Sequence, residues 1–452
     1  MGLFWHSCIL LAIFLQVAIA ASVPEQVHLA FHGDTSEMAV IWTTFYDGLH
    51  HVYYGTDVKN MNQVAIETSI KKWTSGSVTR YSHRAKMSNL KPSTTYYYKI
   101  EGRVFEFKTL SANPQSYRVC IFGDLGYEHG NSTDAIIRNG LNGQFDFIIH
   151  VGDIAYDLHT DDGRRGDAYM RRFEPLFSAM PYMVIAGNHE NDGKNFSNFQ
   201  ERFWMPHNGF NDNHFYSFDL GPVHWVGLSS EFYGYDREYG KESIWTQYNW
   251  LNADLKAAVS KRKSVPWIIT YQHRPIYCSI DYNHDCSEFE NTFLRSGALG
   301  LPGLEPSYIQ SHVDLNFCGH QHAYERFYPV ADRKYYTGKD VYHNAPAPTY
   351  ILTGSAGCHT PAAEFSSKPL DWSAFRSDDY GYSLLHIANA THIHVQFISI
   401  NQHEKPTDDF WISKDPNHLD AAMRSFKTGQ IPRSKGTLSP ILLKNNFSRN
   451  SD

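Results

Sequence analysis

Cysteine is scarce in this sequence, and no two cysteines form a CxxC pair. The chain has 6 Cys among 452 residues, so we expect no thiolate-ligated metal site. Cys278 and Cys286 frame the polar loop "YCSIDYNHDC", and in an oxidising compartment we expect them to close it as a disulfide. The other cysteines beyond the N-terminal region lie in or beside apolar runs, which predicts buried and inert thiols: Cys120, Cys318 and Cys358.

An excess of basic residues is also lacking. The chain carries 40 Lys and Arg against 47 Asp and Glu, a net charge of −7, which argues against nucleic acid as its main partner. Beyond residues 1–20 no apolar run is long enough to span a bilayer, so we expect no membrane span once those N-terminal residues are removed. With 42% hydrophobic and 15% aromatic residues, the chain predicts two or three globular domains.

The N-terminal residues 1–20, "MGLFWHSCILLAIFLQVAIA", form an apolar stretch that ends in a small-x-small pattern. We interpret them as a secretory signal peptide, and a membrane anchor is the alternative. Four Asn-x-Ser/Thr sequons agree with export, which predicts a secreted or lysosomal glycoprotein: Asn131, Asn195, Asn389 and Asn446.

Two regions with different hydrophobic patterns follow. Residues 22–110 contain short alternating segments such as "MAVIWTTF", "TTYYYKIEG" and "VFEFKTL", typical of an all-β sandwich. Trp42 is a candidate core residue, and "LKPSTTYYYKIEG" resembles the tyrosine-corner strand of fibronectin type III domains. Residues 115–411 alternate buried strands with amphipathic stretches such as "QYNWLNADLKAAVSKR", which predicts an α/β domain. Residues 412–452 lose this pattern and predict a weakly ordered tail.

Apolar runs of the second region end repeatedly in polar clusters. "YRVCIF" runs into "GDLG", "FDFIIHV" into "GDIAY", "MPYMVIA" into "GNHE" and "VDLNFC" into "GHQH", and "PWIITYQ" ends at a His. Each of these polar clusters alone is what an ordinary turn after a strand contains. Binding residues of α/β sheets gather at the carboxyl ends of strands, however, so five such clusters together predict that their side chains converge on one site. The candidate metal ligands are Asp124, Asp153, Tyr156, Asn188, His273, His320 and His322.

These ligands are oxygen and nitrogen donors without a thiolate, which suits iron, zinc or manganese. Seven ligands exceed the four of one tetrahedral site. They fit two metal ions roughly 3.5–4 Å apart that share a bridging carboxylate, for which Asp153 is the candidate.

This set of motifs closely resembles the purple acid phosphatases, a family of the calcineurin-like dinuclear metallophosphoesterase superfamily. The family pattern GDxG, GDxxY, GNH(E/D), a later strand-end His and GHxH is complete and in order as "GDLG", "GDIAY", "GNHE", "YQH" and "GHQH". The resemblance covers most of the chain, including the late stretch "SAFRSDDYGYSLLHIANATHIHVQFISIN". It implies the high-molecular-weight animal type, in which a fibronectin III-like sandwich precedes a four-layer α/β/β/α metallophosphoesterase domain.

The resemblance also implies roles for individual residues. Asp124, Tyr156 and His322 would hold Fe(III), and Asp153 would bridge to a second, divalent Fe, Zn or Mn. The second ion would be held by Asn188, His273 and His320.

Two histidines beside these ligands are candidates for contact with substrate. His189 resembles the phosphate-facing His of the family, able to bind the ester oxygens or to protonate the leaving alkoxide, and Asn188 would lie beside it. The family usually places a further His in the loop after His273. The chain offers only His284 there, for which a solvent-exposed loop residue is the alternative.

Three functions follow from different classes. The expected function is acid phosphatase activity on small phosphate monoesters, by attack of a metal-bound hydroxide at a dinuclear Fe(III)–M(II) centre. A phosphodiesterase with the same centre is the alternative, because the two kinds of enzyme share these ligands. Tyr156 favours the acid phosphatase. An inactive binding protein would have a broken ligand set, and all seven ligands are present.

Overall fold

The computed structural model of the chain describes residues 23–65, 67–210, 212–280, 286, 289–357, 365–416 and 418. The signal peptide predicted at residues 1–20 lies outside these residues. So do His284, Cys358, the sequon at Asn446 and nearly all of the predicted tail beyond residue 416.

The N-terminal region is an all-β sandwich, as predicted. The strands are β1 (Glu25–Ala30), β2 (Met38–Thr44), β3 (Val52–Gly55), β4 (Gln63–Ala65), β5 (Glu67–Ser75), β6 (Val78–Met87), β7 (Thr95–Ile100) and β8 (Arg103–Lys108). They form two antiparallel sheets with the strand orders β1-β2-β6-β5 and β4-β3-β7-β8. The alternating segments quoted above fall on β2, β7 and β8.

The sandwich core contains the two features predicted from its aromatic residues. Trp42 is fully buried and stacks on His83, with ring centroids 5.1 Å apart. The hydroxyl of Tyr96 accepts a hydrogen bond of 2.9 Å from the backbone N–H of Lys91, which is the contact of a tyrosine corner. The aromatic side chains therefore fix the fold of this region as the sequence indicated.

The second region is an α/β unit built on two larger sheets. The strands are β9 (Tyr117–Phe122), β10 (Phe147–Val151), β11 (Tyr182–Ile185), β12 (Tyr216–Leu220), β13 (Val223–Gly227), β14 (Trp267–Tyr271), β15 (Gly297–Ala298), β16 (Leu301–Pro302), β17 (Leu315–Cys318), β18 (Tyr324–Phe327), β19 (Val330–Ala331), β20 (Lys334–Tyr335), β21 (Thr349–Thr353), β22 (Ser373–Ser377), β23 (Gly381–Ile387), β24 (His392–Ser399) and β25 (Lys405–Ser413). One sheet has the order β11-β10-β9-β23-β24-β25 and the other β12-β13-β14-β17-β21-β18-β22. Strands β15 and β16 form a short separate pair, as do β19 and β20.

Both sheets are mixed. Strands β9, β10 and β11 are parallel, and β23, β24 and β25 continue that sheet with antiparallel pairs. In the other sheet, β13, β14, β17 and β21 are parallel neighbours. The last strand ends at Ser413, so it includes the first two residues of the tail predicted at 412–452.

Helices cover the sheets. The described helices are Thr133–Leu141, Arg164–Phe177, Ser197–Arg202, Glu231–Gly234, Asp236–Tyr239, Lys241–Ser260, Phe289–Ser296 and Glu305–Gln310, with a 3₁₀ turn at Asn188–Glu190. Two of them, Thr133–Leu141 and Lys241–Ser260, fall on amphipathic stretches that the sequence pattern indicated. In the part of the chain described, no helix has both the length and the apolar character needed to cross a lipid bilayer.

The buried strands divide their side chains between two cores. Trp225 and Ile269 belong to the core between the sheets, where Trp225 meets Phe147 of the other sheet at a centroid distance of 5.8 Å. Their neighbours Val226 and Ile268 belong to the core under the long helix 241–260. Strands buried on both faces read as continuous apolar runs, which is why these segments were recognisable in the sequence.

The cysteines behave as predicted where they are described. Cys278 and Cys286 form a disulfide. Cys120 and Cys318 are free and buried, and burial raises the pKa of both thiols well above the ordinary value. Neither thiol has the thiolate character that reactive cysteines require.

Candidate metal centre

The five polar clusters predicted from the sequence lie at the carboxyl ends of five parallel strands. Strands β9, β10 and β11 of one sheet end just before Asp124, Asp153 and Asn188, and β14 and β17 of the other end just before His273 and His320. One hydrogen bond joins the strand ends of the two sheets, from Gly123 N to the Thr353 carbonyl at 2.9 Å, and another, from Gly319 N to the His273 carbonyl at 2.8 Å, joins the ends of β14 and β17 within the second sheet. The clusters therefore meet in one place, as expected for the carboxyl edge of such sheets.

One group of side chains consists of Asp124, Tyr156 and His322. The Tyr156 hydroxyl lies 2.7 Å from Nε2 of His322 and 3.4 Å from Oδ1 of Asp124. Nε2 of His322 is 3.5 Å from the same carboxylate oxygen. A phenol, an imidazole and a buried carboxylate therefore lie within 3.5 Å of one another.

A second group consists of Asp153, Asn188, His273 and His320. Oδ1 of Asn188 lies 3.0 Å from Nε2 of His273 and 2.8 Å from Nδ1 of His320. Oδ1 of Asp153 is 3.3 Å from Nε2 of His273. Ligand-type atoms of Asp153, His273 and His320 all lie within 4.8 Å of one another, a spacing at which they could hold a metal ion.

The two groups are connected through the backbone. The N–H of His320 donates a 2.8 Å hydrogen bond to Oδ2 of Asp124, so a residue of the second group is fixed to a carboxylate of the first. All seven predicted ligands are thus brought together at this edge of the sheets.

Glycines at the strand exits make room for the two carboxylates. A Cβ on Gly187 would lie 2.2 Å from Oδ1 of Asp153, and a Cβ on Gly319 would lie 2.4 Å from Oδ2 of Asp124. Any larger residue would displace the carboxylate that it faces. The Gly that precedes Asn188 and the one that precedes His320 therefore serve close packing within the site as well as the turn.

The hydrogen bonding of His273 suits a cation. Its Nδ1 lies 2.8 Å from the carbonyl of Val151, and a carbonyl can only accept, so Nδ1 carries the proton. In the neutral ring, Nε2 then presents a lone pair toward the oxygens of Asp153 and Asn188. A metal ion between Nε2 of His273 and the oxygens of Asp153 and Asn188 would accept the lone pairs of all three atoms. The hydrogen bond from the other ring nitrogen of His273 to a backbone carbonyl is typical of metal-binding histidines.

The electrostatics point the same way. Burial lowers the pKa of His273, but the Asp153 carboxylate outweighs burial and raises the pKa to about 10. Burial likewise opposes ionisation of Asp153, yet His273 and His189 hold the pKa of its carboxyl well below the usual range. Positive charge is therefore strongly favoured beside Asp153, and a bound cation would supply it.

His189 lies beside the ligand groups but is oriented differently. Its Nδ1 contacts Oδ1 of Asp157 at 2.8 Å, and its Nε2 is 4.0 Å from Oδ2 of Asp153. Its side chain is 38% exposed. Burial lowers its pKa, but Asp153 and Asp157 raise the pKa to about 9. His189 is thus a half-exposed imidazole at the rim of the cluster.

Glu190 has a structural role that the sequence did not indicate. Glu190 is 1% exposed, and its carboxylate accepts hydrogen bonds of 2.8, 2.9 and 2.8 Å from the backbone N–H groups of Asp153, Ile154 and Gly187. Burial raises the pKa of Glu190 to about 7. One side chain thereby ties the exit of β10 to the exit of β11.

The chain matches known families along most of its length. Residues 24–109 match the family described as purple acid phosphatase, N-terminal domain. Residues 117–324 match the calcineurin-like phosphoesterases, and residues 347–408 match the C-terminal region of iron/zinc purple acid phosphatase-like proteins.

Individual relatives agree with these matches. The chain is 37% identical over 427 residues to human acid phosphatase type 7, covering 90% of this chain and 96% of that protein. It is 30% identical over 421 residues to purple acid phosphatase 18 of Arabidopsis thaliana, covering 87% and 85%. The solved structure of a purple acid phosphatase from yellow lupin seeds has the same fold, with a TM-score of 0.73, 23% identity, and 88% and 75% of the two chains covered.

Proposed function

The chain belongs to the purple acid phosphatase family and is an acid phosphatase, and we propose that the seven converging side chains hold two metal ions at which phosphate monoesters are hydrolysed. The proposal rests on the convergence of Asn188 and Asp153 on His273, whose Nε2 lies 3.0 Å from Oδ1 of Asn188 and 3.3 Å from Oδ1 of Asp153. A dinuclear metal centre is common to the family.

The donor set supports a division between two ions. Asp124, Tyr156 and His322 would hold iron as Fe(III), because a phenolate is a strong anionic donor that favours the ferric state. A second, divalent Fe, Zn or Mn would lie among the residues of the other group, which offers an amide oxygen and two imidazoles. We assign Asp153 as the residue that both ions would share, since Oδ1 of its carboxylate faces His273 of the second group at 3.3 Å and its backbone belongs to the same strand end as Tyr156 of the first group.

The chain's own residues have distinct tasks in this mechanism. When bound, the ions would supply Lewis-acid charge to the phosphate oxygens and lower the pKa of water at the site. Asn188 orients the second group, because its side-chain oxygen contacts both imidazoles of that group. His189 lies at the edge of the ligand cluster, where its Nε2 would contact the ester and donate a proton to the departing alkoxide. Asn188 and His189 are thus also our candidates for substrate contact.

Replacement of His189 tests its proposed role. His189→Ala should retain the metals and lose activity on an alkyl phosphate by about 10²–10⁴-fold, the range for one proton donor. The loss on an aryl phosphate should be smaller, since a phenolate departs without a proton. Equal losses on both substrates would reduce His189 to a phosphate-binding group, and no loss on either would remove it from the site.

The assignment of the ligands is tested by metal content. Asp153→Ala should lower metal occupancy for both ions, because the bridge contributes to both, whereas Asn188→Ala should mainly lower occupancy for the divalent one. Asn191→Ala is a suitable control, since Asn191 lies in the same loop and its side chain pairs with Glu238 at 3.1 Å outside the cluster. An Asp153→Ala protein with two tightly bound ions and near-normal turnover would refute the bridging role.

Monoester preference distinguishes this proposal from a phosphodiesterase that uses the same centre. Purified protein should release phosphate from monoesters faster than it cleaves diesters at acidic pH, with kcat/KM for the two classes as the measurement. A higher kcat/KM for diesters would assign the second function instead. Passage through the secretory pathway to a secreted or lysosomal location is our further expectation, and N-terminal sequencing of the mature protein would test removal of residues 1–20.

A further inference from the structure

Asp157 follows Tyr156 directly in "GDIAYD", and its carboxylate contacts the rim histidine. Oδ1 of Asp157 lies 2.8 Å from Nδ1 of His189. An ionised carboxylate can only accept, so Nδ1 carries a proton and the contact fixes that tautomer. Nε2 is then the ring atom directed toward the cluster, 4.0 Å from Oδ2 of Asp153.

Two further contacts limit the positions that His189 can take. Its ring lies edge-on to the ring of Tyr156, with centroids 4.5 Å apart and planes at 63°. Its backbone N–H donates to Oδ1 of Asp153 at 3.0 Å. Its side chain is nonetheless 38% exposed, so packing alone leaves it rotameric freedom. The hydrogen bond to Asp157 is the polar contact that selects one ring orientation.

The loop that carries Asp157 is itself held by the N-terminal sandwich. The Ser77 hydroxyl donates to Oδ2 of Asp162 at 2.6 Å, and Nη2 of Arg80 donates to the Asp162 carbonyl at 2.9 Å. Within the loop, the Thr160 N–H donates to the carbonyl of Asp157 at 3.2 Å. The segment that carries Asp157 is therefore anchored to the sandwich through Asp162.

We propose that Asp157 is a positioning residue that sets the tautomer and orientation of His189, so that Nε2 faces the leaving-group oxygen of the substrate. In the imidazolium, the proton on Nε2 passes to the alkoxide oxygen as its bond to phosphorus breaks. The proton on Nδ1 remains hydrogen-bonded to Asp157, and solvent restores the proton that was transferred. This inference rests on the role proposed above for His189.

A double-mutant cycle on the metal-loaded protein tests the inference. The variants are Asp157→Ala, His189→Ala and the double variant, and the measurements are kcat for an alkyl and an aryl phosphate together with metal content. Asp157→Ala should lower kcat for the alkyl phosphate by about 10–100-fold, the cost of misplacing one reacting group, and lower kcat for the aryl phosphate less. In the His189→Ala background the same change should cause no further loss, because Asp157 acts through His189.

Two more variants separate positioning from a general structural effect. Asp157→Asn should restore most of the alkyl activity, since the amide oxygen accepts the same hydrogen bond from Nδ1. Asp161→Ala is the matched control, because Asp161 lies in the same loop with a 68% exposed side chain paired to Arg164 at 3.1 Å. It should behave as wild type.

The outcomes are distinguishable from those of the proposed function. Additive losses in the cycle, or an unchanged alkyl-to-aryl ratio in Asp157→Ala, would overturn the inference while leaving the role of His189 intact. An unchanged ratio in His189→Ala would overturn both. Inhibition by inorganic phosphate gives a second readout, and it should weaken in Asp157→Ala only where His189 is present.

Discussion

Replacing Asp167 by Ala should destabilise the folded chain strongly, because this buried carboxylate lies between two buried guanidinium groups. Asp167 on the helix Arg164–Phe177 is 2% exposed, and its partners Arg80 of the sandwich and Arg202 of the helix Ser197–Arg202 are 0% and 1% exposed. Nε and Nη2 of Arg80 donate to the carboxylate at 2.6–3.1 Å. Nη1 of Arg202 donates at 2.8 Å and Nε2 of Gln26 at 3.1 Å.

The magnitude follows from these contacts. Removing one partner of a buried ion pair typically costs about 3–5 kcal/mol, because the remaining charge is left uncompensated. Two positive charges would remain here, with Arg80 and Arg202 both within about 5 Å of the ring of Trp73 and repelling each other at low dielectric. We therefore expect Asp167→Ala to lower the free energy of unfolding by about 4 kcal/mol.

Urea unfolding followed by tryptophan fluorescence and far-ultraviolet circular dichroism measures this loss, and the two probes together reveal any separate unfolding of the sandwich. Asp134→Ala is the control, since that carboxylate is 85% exposed and pairs with Arg172 at 3.0 Å. An exposed pair contributes about 0–1 kcal/mol. A loss below about 1 kcal/mol in Asp167→Ala would refute the reasoning.

The contacts of Asp167 with Arg80 and Arg202 also predict how stability depends on pH. Burial raises the pKa of Asp167, but Arg202 and Arg80 outweigh burial and hold the pKa below the ordinary value of 3.8. A carboxyl with a depressed folded-state pKa stabilises the fold above the unfolded-state pKa, and this contribution is lost as the pH falls through the folded-state value. The difference between wild type and Asp167→Ala should therefore persist at pH 5 and narrow only below about pH 4.

Three further changes have defined outcomes. We expect the metal-loaded wild type to show a visible charge-transfer band from the Tyr156 phenolate to Fe(III), and Tyr156→Phe should retain the fold and lack this band, measured by circular dichroism and absorption spectroscopy; a band unchanged in this variant would contradict a phenolate ligand. Glu190→Gln should cost about 1–3 kcal/mol of unfolding free energy, since an amide N–H₂ then faces a buried backbone N–H, whereas Glu128→Gln, at a 56% exposed side chain, should cost little. Burial lowers the pKa of His224, but Asp219 and Asp254 raise the pKa to about 9, so its charge stabilises the fold fully below about pH 6.5 and progressively less toward pH 9. The destabilisation caused by His224→Gln should shrink over that interval, and a pH-independent difference would exclude the ion pairs as its source.

The convergence of the candidate ligands was predictable because strand ends carry their own signal. Asp124, Asp153 and His320 each follow a buried apolar run and a Gly, and the parallel arrangement of the strands brings such positions to one edge. Trp42 and the tyrosine corner were predictable for a similar reason, since they belong to a local pattern of alternating residues.

The contacts that support the site were not predictable in the same way. Arg80 and Asp167 are 87 residues apart, and no periodic pattern links a strand of one domain to a helix of another. Glu190 stands within the recognised motif, but its local sequence does not reveal that its carboxylate is buried against three backbone N–H groups. Asp157 resembles any loop carboxylate until the fold places it beside His189. Such polar pairs depend on tertiary structure, whereas strand exits depend on local sequence.

Metal analysis of the purified, active protein, combined with its visible absorption spectrum, is the decisive measurement for the proposed dinuclear centre. We expect two metal ions per chain, one of them iron, a broad visible charge-transfer band, and phosphate release that is lost when the metals are removed and restored when they return. A colourless protein with two zinc ions would contradict the ferric assignment. Full hydrolytic activity in a protein that binds one metal ion or none would contradict the dinuclear centre itself.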